Sequence, residues 1–218
     1  MYKVNLISTR HSPLGECNVN NLYNVLEYIQ PDVIFQELPP SSKSSGILES
    51  KAVYLYRYEN MSRNITVRFV DKEEVPSDLF FNQLKDMFTR FDRLITENGQ
   101  IYRSLIDSDK RKVMEFGFSY LNSHETENFN YERKSAIYRC INDLGNGNFL
   151  ELYDKLSVIV AERDNEMIQN IYEYANSNSF INAAFLVGSA HRNNIIKTAL
   201  DYNVKSEVKL NWIFNLAY

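Results

Sequence analysis

The chain has 218 residues, 44% of them hydrophobic, with 24 Lys and Arg against 28 Asp and Glu for a formal net charge of −4. That length suits one domain, residues 1–218, able to bury a sizeable core. The acidic balance speaks against a nucleic-acid footprint, since binding phosphates requires clustered Lys and Arg. Fifteen Tyr and thirteen Phe lie along helical stripes rather than in stacking motifs, which points to core packing. Cys17 and Cys140 are the only cysteines and have no metal-ligand spacing, so a reducing compartment is expected. No basic segment followed by an apolar one opens the chain, and no apolar run approaches the roughly 18 residues of a membrane span. A cytoplasmic protein without membrane or nucleic-acid partners is the expectation.

Residues 3–8 read as a first strand, left through the loop Pro13-Leu14-Gly15. Asn18 is placed to cap a helix whose apolar face is Val19, Leu22, Tyr23, Leu26 and Ile29, and Pro31 ends it. Residues 32–38 supply a second apolar strand, completing a βαβ unit expected to give a parallel pair. Pro39-Pro40 stops that strand, and residues 41–46 read as a flexible loop. A helix over 52–58 and a third strand over 65–70 follow. A helical section spans about 78–175. Its first stripe is Phe80, Leu84, Met87, Phe88, Phe91 and Ile95. A second helix covers 101–121, with a break expected near Asp107-Ser108. Residues 122–130 read as a polar loop carrying an exposed His124, before helices over 131–142 and 149–175. A last βαβ unit comprises a strand over 183–187, a helix after His191 and a strand over 207–214. The fold expected is α/β, with a mostly parallel central sheet built from N- and C-terminal βαβ units and the helical section inserted between them.

Two of the three histidines follow apolar strands. His11 ends Ser8-Thr9-Arg10-His11, and His191 ends Gly188-Ser189-Ala190-His191. In open α/β sheets, ligands bind beyond the carboxyl ends of strands, where both imidazoles belong. Either imidazole suits a metal ligand or a general base; the alternative is a histidine that fixes a strand–helix turn by bonding loop backbone. Glu37 ends the second strand, so its carboxylate belongs in the same crevice and needs a cation or hydrogen-bond donors there. Arg163 lies on the apolar stripe Leu156, Val160, Arg163, Met167, Ile171 and Tyr174, where a guanidinium needs Glu37 or a substrate anion as partner. Glu162 and Asp164 fall elsewhere on the wheel and read as solvated, and Glu166 reads as a partner one turn along the same helix. Ser189 lacks the Gly-x-Ser-x-Gly setting of a hydrolase nucleophile.

These four pieces, in this order, resemble the TraB/Tiki superfamily, related to the ChaN-like haem-binding proteins and the erythromycin esterases. The pieces are Ser8-Thr9-Arg10-His11, Val33-Ile34-Phe35-Gln36-Glu37, Arg163-Asp164-Asn165-Glu166-Met167 and Gly188-Ser189-Ala190-His191. The first departs from the family's Gly-x-x-His pattern, with Ser8 standing where the family has glycine. The resemblance implies a metal-dependent hydrolase acting on a peptide, ester or amide bond of a small-molecule or peptide substrate. His11, Glu37 and His191 would hold a divalent metal (Mn, Co or Zn) or serve as base, and Arg163 would orient Glu37 or stabilise an oxyanion. Catalytic roles are thus expected for Glu37, Arg163, His11 and His191. The alternatives are a non-catalytic protein binding a small ligand, haem or peptide in the same crevice, and a scaffold or regulatory protein. A homo-oligomer is compatible with each.

Overall fold

A computed structural model describes residues 2–37, 47–72 and 76–215. Residues 38–46, with the Pro39-Pro40 stop and the loop expected over 41–46, lie outside the described residues. The architecture is mixed α/β around a five-stranded sheet in the order β3-β2-β4-β1-β5, with every pairing parallel. The strands are β1 (Tyr2–Thr9), β2 (Val33–Gln36), β3 (Thr66–Phe69), β4 (Asn182–Gly188) and β5 (Leu210–Ile213). β1 and β2 do not pair with each other. β4 inserts between them and pairs with both, while β1 in turn lies between β4 and β5. The two βαβ units therefore interlock, and this brings the ends of β1, β2 and β4 side by side.

Strand alternation explains why both faces are covered. Ile7, Ile34, Ala184 and Leu186 face one layer, made chiefly by α1 (Val19–Ile29) and α2 (Ile47–Glu59). Val4, Leu6, Val33, Phe35, Phe185 and Val187 face the other, made by α6 (Gly147–Ser177) and α7 (Arg192–Lys205). α1 begins as its sequence indicates: the Asn18 side chain accepts from the Asn21 N–H at 3.0 Å. It ends on Gln30 in the left-handed region, φ 52°, directly before Pro31.

The helical section comprises α3 (Asp78–Arg93), α4 (Glu97–Leu121), α5 (His124–Leu144) and most of α6. Phe80, Leu84, Met87 and Phe91 of α3 pack with Tyr102, Ile137, Cys140 and Tyr153 in a third core. Ile95 falls after α3 and is exposed. The break expected at Asp107-Ser108 does not occur; α4 is interrupted at Gly117 instead, with φ 51° and ψ −126°. A Cβ on Gly117 would lie 2.6 Å from the Glu16 carbonyl carbon, so only glycine lets the loop after β1 cross α4 this closely. The polar stretch after it is also not a loop: α5 starts at His124, which is exposed and pairs with Glu127 one turn on.

β5 accompanies β1 only as far as Asn5, leaving the end of β1 without a strand on that side. Asn122 takes over. Its Oδ1 accepts the Ser8 N–H at 2.7 Å, and its Nδ2 donates to the Ser8 carbonyl at 3.2 Å. Arg192, fully buried, braces this junction by donating to Ser8 Oγ, the Asn122 carbonyl, Glu127 and the Phe214 carbonyl. Removing it strands several buried acceptors. Arg192→Met is expected to lower unfolding stability by about 3–5 kcal/mol, read as a shift in the urea midpoint.

Candidate functional site

Glu37, His11, His191, Arg163 and Gly188 converge at the carboxyl end of the sheet. Glu37 is buried directly after β2, and its two oxygens are used differently. Oε2 accepts the Gly188 N–H at 3.0 Å, and Oε1 accepts Arg163 Nη2 at 2.9 Å. His191 Nε2 stands 3.6 Å from Oε1 and His11 Nε2 3.9 Å from Oε2. A Cβ on Gly188 would be 3.5 Å from Glu37 Oε2, 3.5 Å from His11 Nε2 and 3.6 Å from His191 Cδ2. One point of space therefore touches three of the side chains singled out in the sequence.

Each cationic or titratable group is also held from behind by a carboxylate of its own. Arg163 makes a two-pronged contact with Asp71, whose side chain is fully buried; Nε donates to Oδ2 at 2.9 Å, and Nη2 donates to the same oxygen. His191 Nδ1 meets Asp164 Oδ1 at 2.5 Å, and Asn194 Nδ2 donates to Asp164 Oδ2 at 2.8 Å. His11, half exposed, turns Nδ1 towards Glu49 Oε1 at 3.4 Å, which is long for a hydrogen bond. That oxygen also accepts the Thr9 hydroxyl at 2.5 Å, while Glu49 Oε2 is buried without a hydrogen-bond partner among the described residues.

The sequence pairing of Arg163 with Glu37 is thus present, and Asp71 and Glu49 join it unforeseen. Asp164 is a correction. It does not lie in solvent but is wholly buried, its carboxylate held by His191 and by Asn194 of α7, which packs against that flank of α6. Glu166 pairs with Lys72 at 3.4 Å rather than along its own helix. The counterpart of Gly188 also shifts. The β1–β4 register sets Thr9 opposite Gly188 and Ser8 opposite Val187, and the Ser8 hydroxyl is engaged by Arg192. The serine in the first motif therefore places no side chain at the convergence point.

The charges shift one another. Glu49 is the largest influence on His11 and raises its pKa, with Glu37 adding to it against burial. Burial opposes protonation of His191, but the contact with Asp164 and the charges of Asp164 and Glu37 outweigh it, so this pKa is raised too. Burial works against the charged form of Glu37, yet His191, the Gly188 N–H, His11 and Arg163 bring its pKa below the ordinary carboxylate value. Stability follows these signs. The imidazoles stabilise the fold fully below their unfolded value of 6.5, and that contribution is lost as pH rises through the folded values. Glu37 stabilises it above its unfolded value of 4.5, and that contribution is lost as pH falls through the folded value.

The side chains as arranged do not fit the expected divalent metal. Glu37 already spends one oxygen on a guanidinium and the other on a backbone N–H, so a dication beside it would face Arg163. Among the described residues, no group of three or more His, Cys, Asp and Glu is disposed to hold a metal ion. A thiol nucleophile is also disfavoured: burial pushes both Cys17 and Cys140 up to about 11. Among the described residues, no helix is long and apolar enough to cross a membrane. No protein-family model matches the chain, and no curated protein or solved structure is significantly similar to it.

The pairing of His191 with Asp164 is directly checkable. In an NMR titration, both His11 and His191 should titrate above 6.5. Asp164→Asn should bring the His191 value down, because the carboxylate that favours imidazolium is gone, and leave His11 little changed.

Proposed function

We propose that this cluster hydrolyses an ester, amide or peptide bond by general acid–base chemistry, with His11 as the base. The observation that carries this reading is the convergence of His11, His191 and Glu37 on one point above Gly188, with Arg163 on the same carboxylate. A relation to the TraB/Tiki superfamily belongs to the same proposal. Its support is that the four motifs, distant in sequence, meet there.

The gap of 3.9 Å between His11 Nε2 and Glu37 Oε2 is too long for a hydrogen bond and suits a bridging water. His11 Nε2 takes a proton from that water as its oxygen adds to the carbonyl carbon, and the carbonyl π pair moves onto oxygen. The resulting oxyanion is stabilised by Arg163 and protonated His191, both fixed beforehand by Asp71 and Asp164. The C–O or C–N bond then breaks as the His11 proton passes to the leaving group. Glu37 keeps both cations in place throughout.

His11→Gln should lower kcat/KM on a panel of aryl esters, amides and peptides by about 10²–10⁴-fold, the usual contribution of a positioned base. Because Glu49 raises the His11 pKa, Glu49→Gln should move the acid limb of the pH–rate profile to lower pH. Turnover that disappears with chelator and returns with Mn, Co or Zn would instead make the reaction metal-dependent. Absence of turnover on every substrate would leave the crevice a binding site.

Gly188→Ala separates chemistry from folding. Its φ is negative, and the new methyl would make only ordinary contacts of 3.5–3.6 Å. Unfolding stability should therefore be unchanged or raised by up to about 1 kcal/mol. Hydrolysis should fall by about tenfold or more, because the methyl fills the space shared by base, water and carboxylate.

A further inference from the structure

On the α5 side of α6 lies a second feature that the acid–base cluster does not use. A cavity of about 600 Å³ opens between α5, α6 and α7, within the range of roughly 300–1,000 Å³ typical of small-molecule sites. Its apolar wall comes from Phe88, Ile137, Leu156 and Val160, and its cations are Arg133, Lys134 and Lys197. In a chain of net charge −4, this local balance runs the other way. The one acidic lining residue, Asp164, is already engaged by His191 and Asn194. None of the three cations has an ion-pair partner among the described residues. Arg133 Nε is buried and lacks a hydrogen-bond partner among them. The acidic group that feels the Arg133 charge, Asp109, already accepts the Tyr120 hydroxyl at 3.0 Å and faces Arg10 at 3.6 Å.

No nitrogen of the Arg133 guanidinium has an acceptor among the described residues, and its Nη atoms, unlike Nε, are not closed off, so they can donate to an anion in the cavity. We propose that this cavity binds a small amphipathic oxyanion, a carboxylate or phosphate on an apolar body. Arg133 is its principal anion contact, Lys134 and Lys197 add charge at the cavity wall, and the apolar wall takes the body. Carboxylate and phosphate both match a guanidinium fork, whereas an alcohol oxygen accepts only a single uncharged hydrogen bond and an alkylammonium is repelled. The proposal does not depend on the hydrolytic reading.

Isothermal titration calorimetry of the full chain with octanoate, octyl phosphate, octanol and octylammonium tests it. Octanoate or octyl phosphate should bind with one site per chain, and the tighter of the two identifies the headgroup. Octanol and octylammonium should bind about tenfold more weakly or not at all, the loss expected for one charge-assisted hydrogen bond. Arg133→Gln should weaken anion binding by a similar factor, and the exposed Lys197→Gln, which carries little folding risk, should weaken it to a lesser degree. Octanol binding as tightly as octanoate would overturn the proposal, as would anion binding unchanged in both variants or no anion binding at all. His11→Gln should retain the anion affinity in full. Loss of hydrolysis with binding intact, and the reverse, therefore tell the two proposals apart.

Discussion

The structure turns on one carboxylate. Glu37 leaves a strand whose every residue is buried and enters the sheet's carboxyl-end crevice with no water to solvate it fully. An isolated charge there is prohibitive, so its surroundings have to supply donors. They come from separated parts of the chain: the Gly188 N–H from the end of β4, Arg163 from α6, and imidazoles from beyond β1 and β4. These elements meet only because the two βαβ units interlock, each placing a strand between the strands of the other. Topology and electrostatics thus impose the same arrangement.

Concentrating cations around one carboxylate raises a second difficulty, which Asp71, Asp164 and Glu49 resolve. Arg163 and His191 would repel each other and Glu37 alone cannot neutralise both; a backing carboxylate on each makes the cluster close to balanced. The backing also fixes geometry. Two anchors on opposite sides hold the Arg163 guanidinium, and the His191 ring is set by Asp164 on Nδ1, leaving Nε2 turned to Glu37. His11 is the exception. It is half exposed, its carboxylate contact is long, and its backing oxygen is shared with Thr9. The most mobile proton in the cluster is thus on the imidazole that solvent and substrate can reach, which favours His11 over His191 as the base.

The legible part of this site in the sequence was the part written in strand periodicity. His11, Glu37 and His191 stand where apolar runs end, and Arg163 interrupts an apolar helical stripe, so each violates a pattern visibly. The backing carboxylates violate none. Asp71 does follow the third expected strand and the buried Val70, but β3 is an edge strand whose own residues are half or fully exposed, and a carboxylate just past such a strand reads as solvated. Glu49 sits in the first turn of α2, where an acidic residue is already accounted for by the helix dipole. Asp164 is next to Arg163 and fell off the apolar stripe, but α6 is covered by α7 on that flank as well as by the sheet. Helical periodicity reports one buried face; a helix buried on two hides its second face among polar residues.

Strand register also explains why the two x-x-His segments, alike in sequence, are not equivalent in the fold. Counting back three residues from each histidine aligns Ser8 with Gly188, but strand register is set by hydrogen bonding and aligns Thr9 with it. A slip of one residue reverses the face on which a side chain stands. Ser8 is thereby committed to Arg192, in the brace that closes the bare end of β1. Thr9 occupies the site-facing position and steadies Glu49, and through it His11. The serine that breaks the motif is therefore part of the scaffold, and the open space above Gly188 does not depend on a glycine at the end of β1.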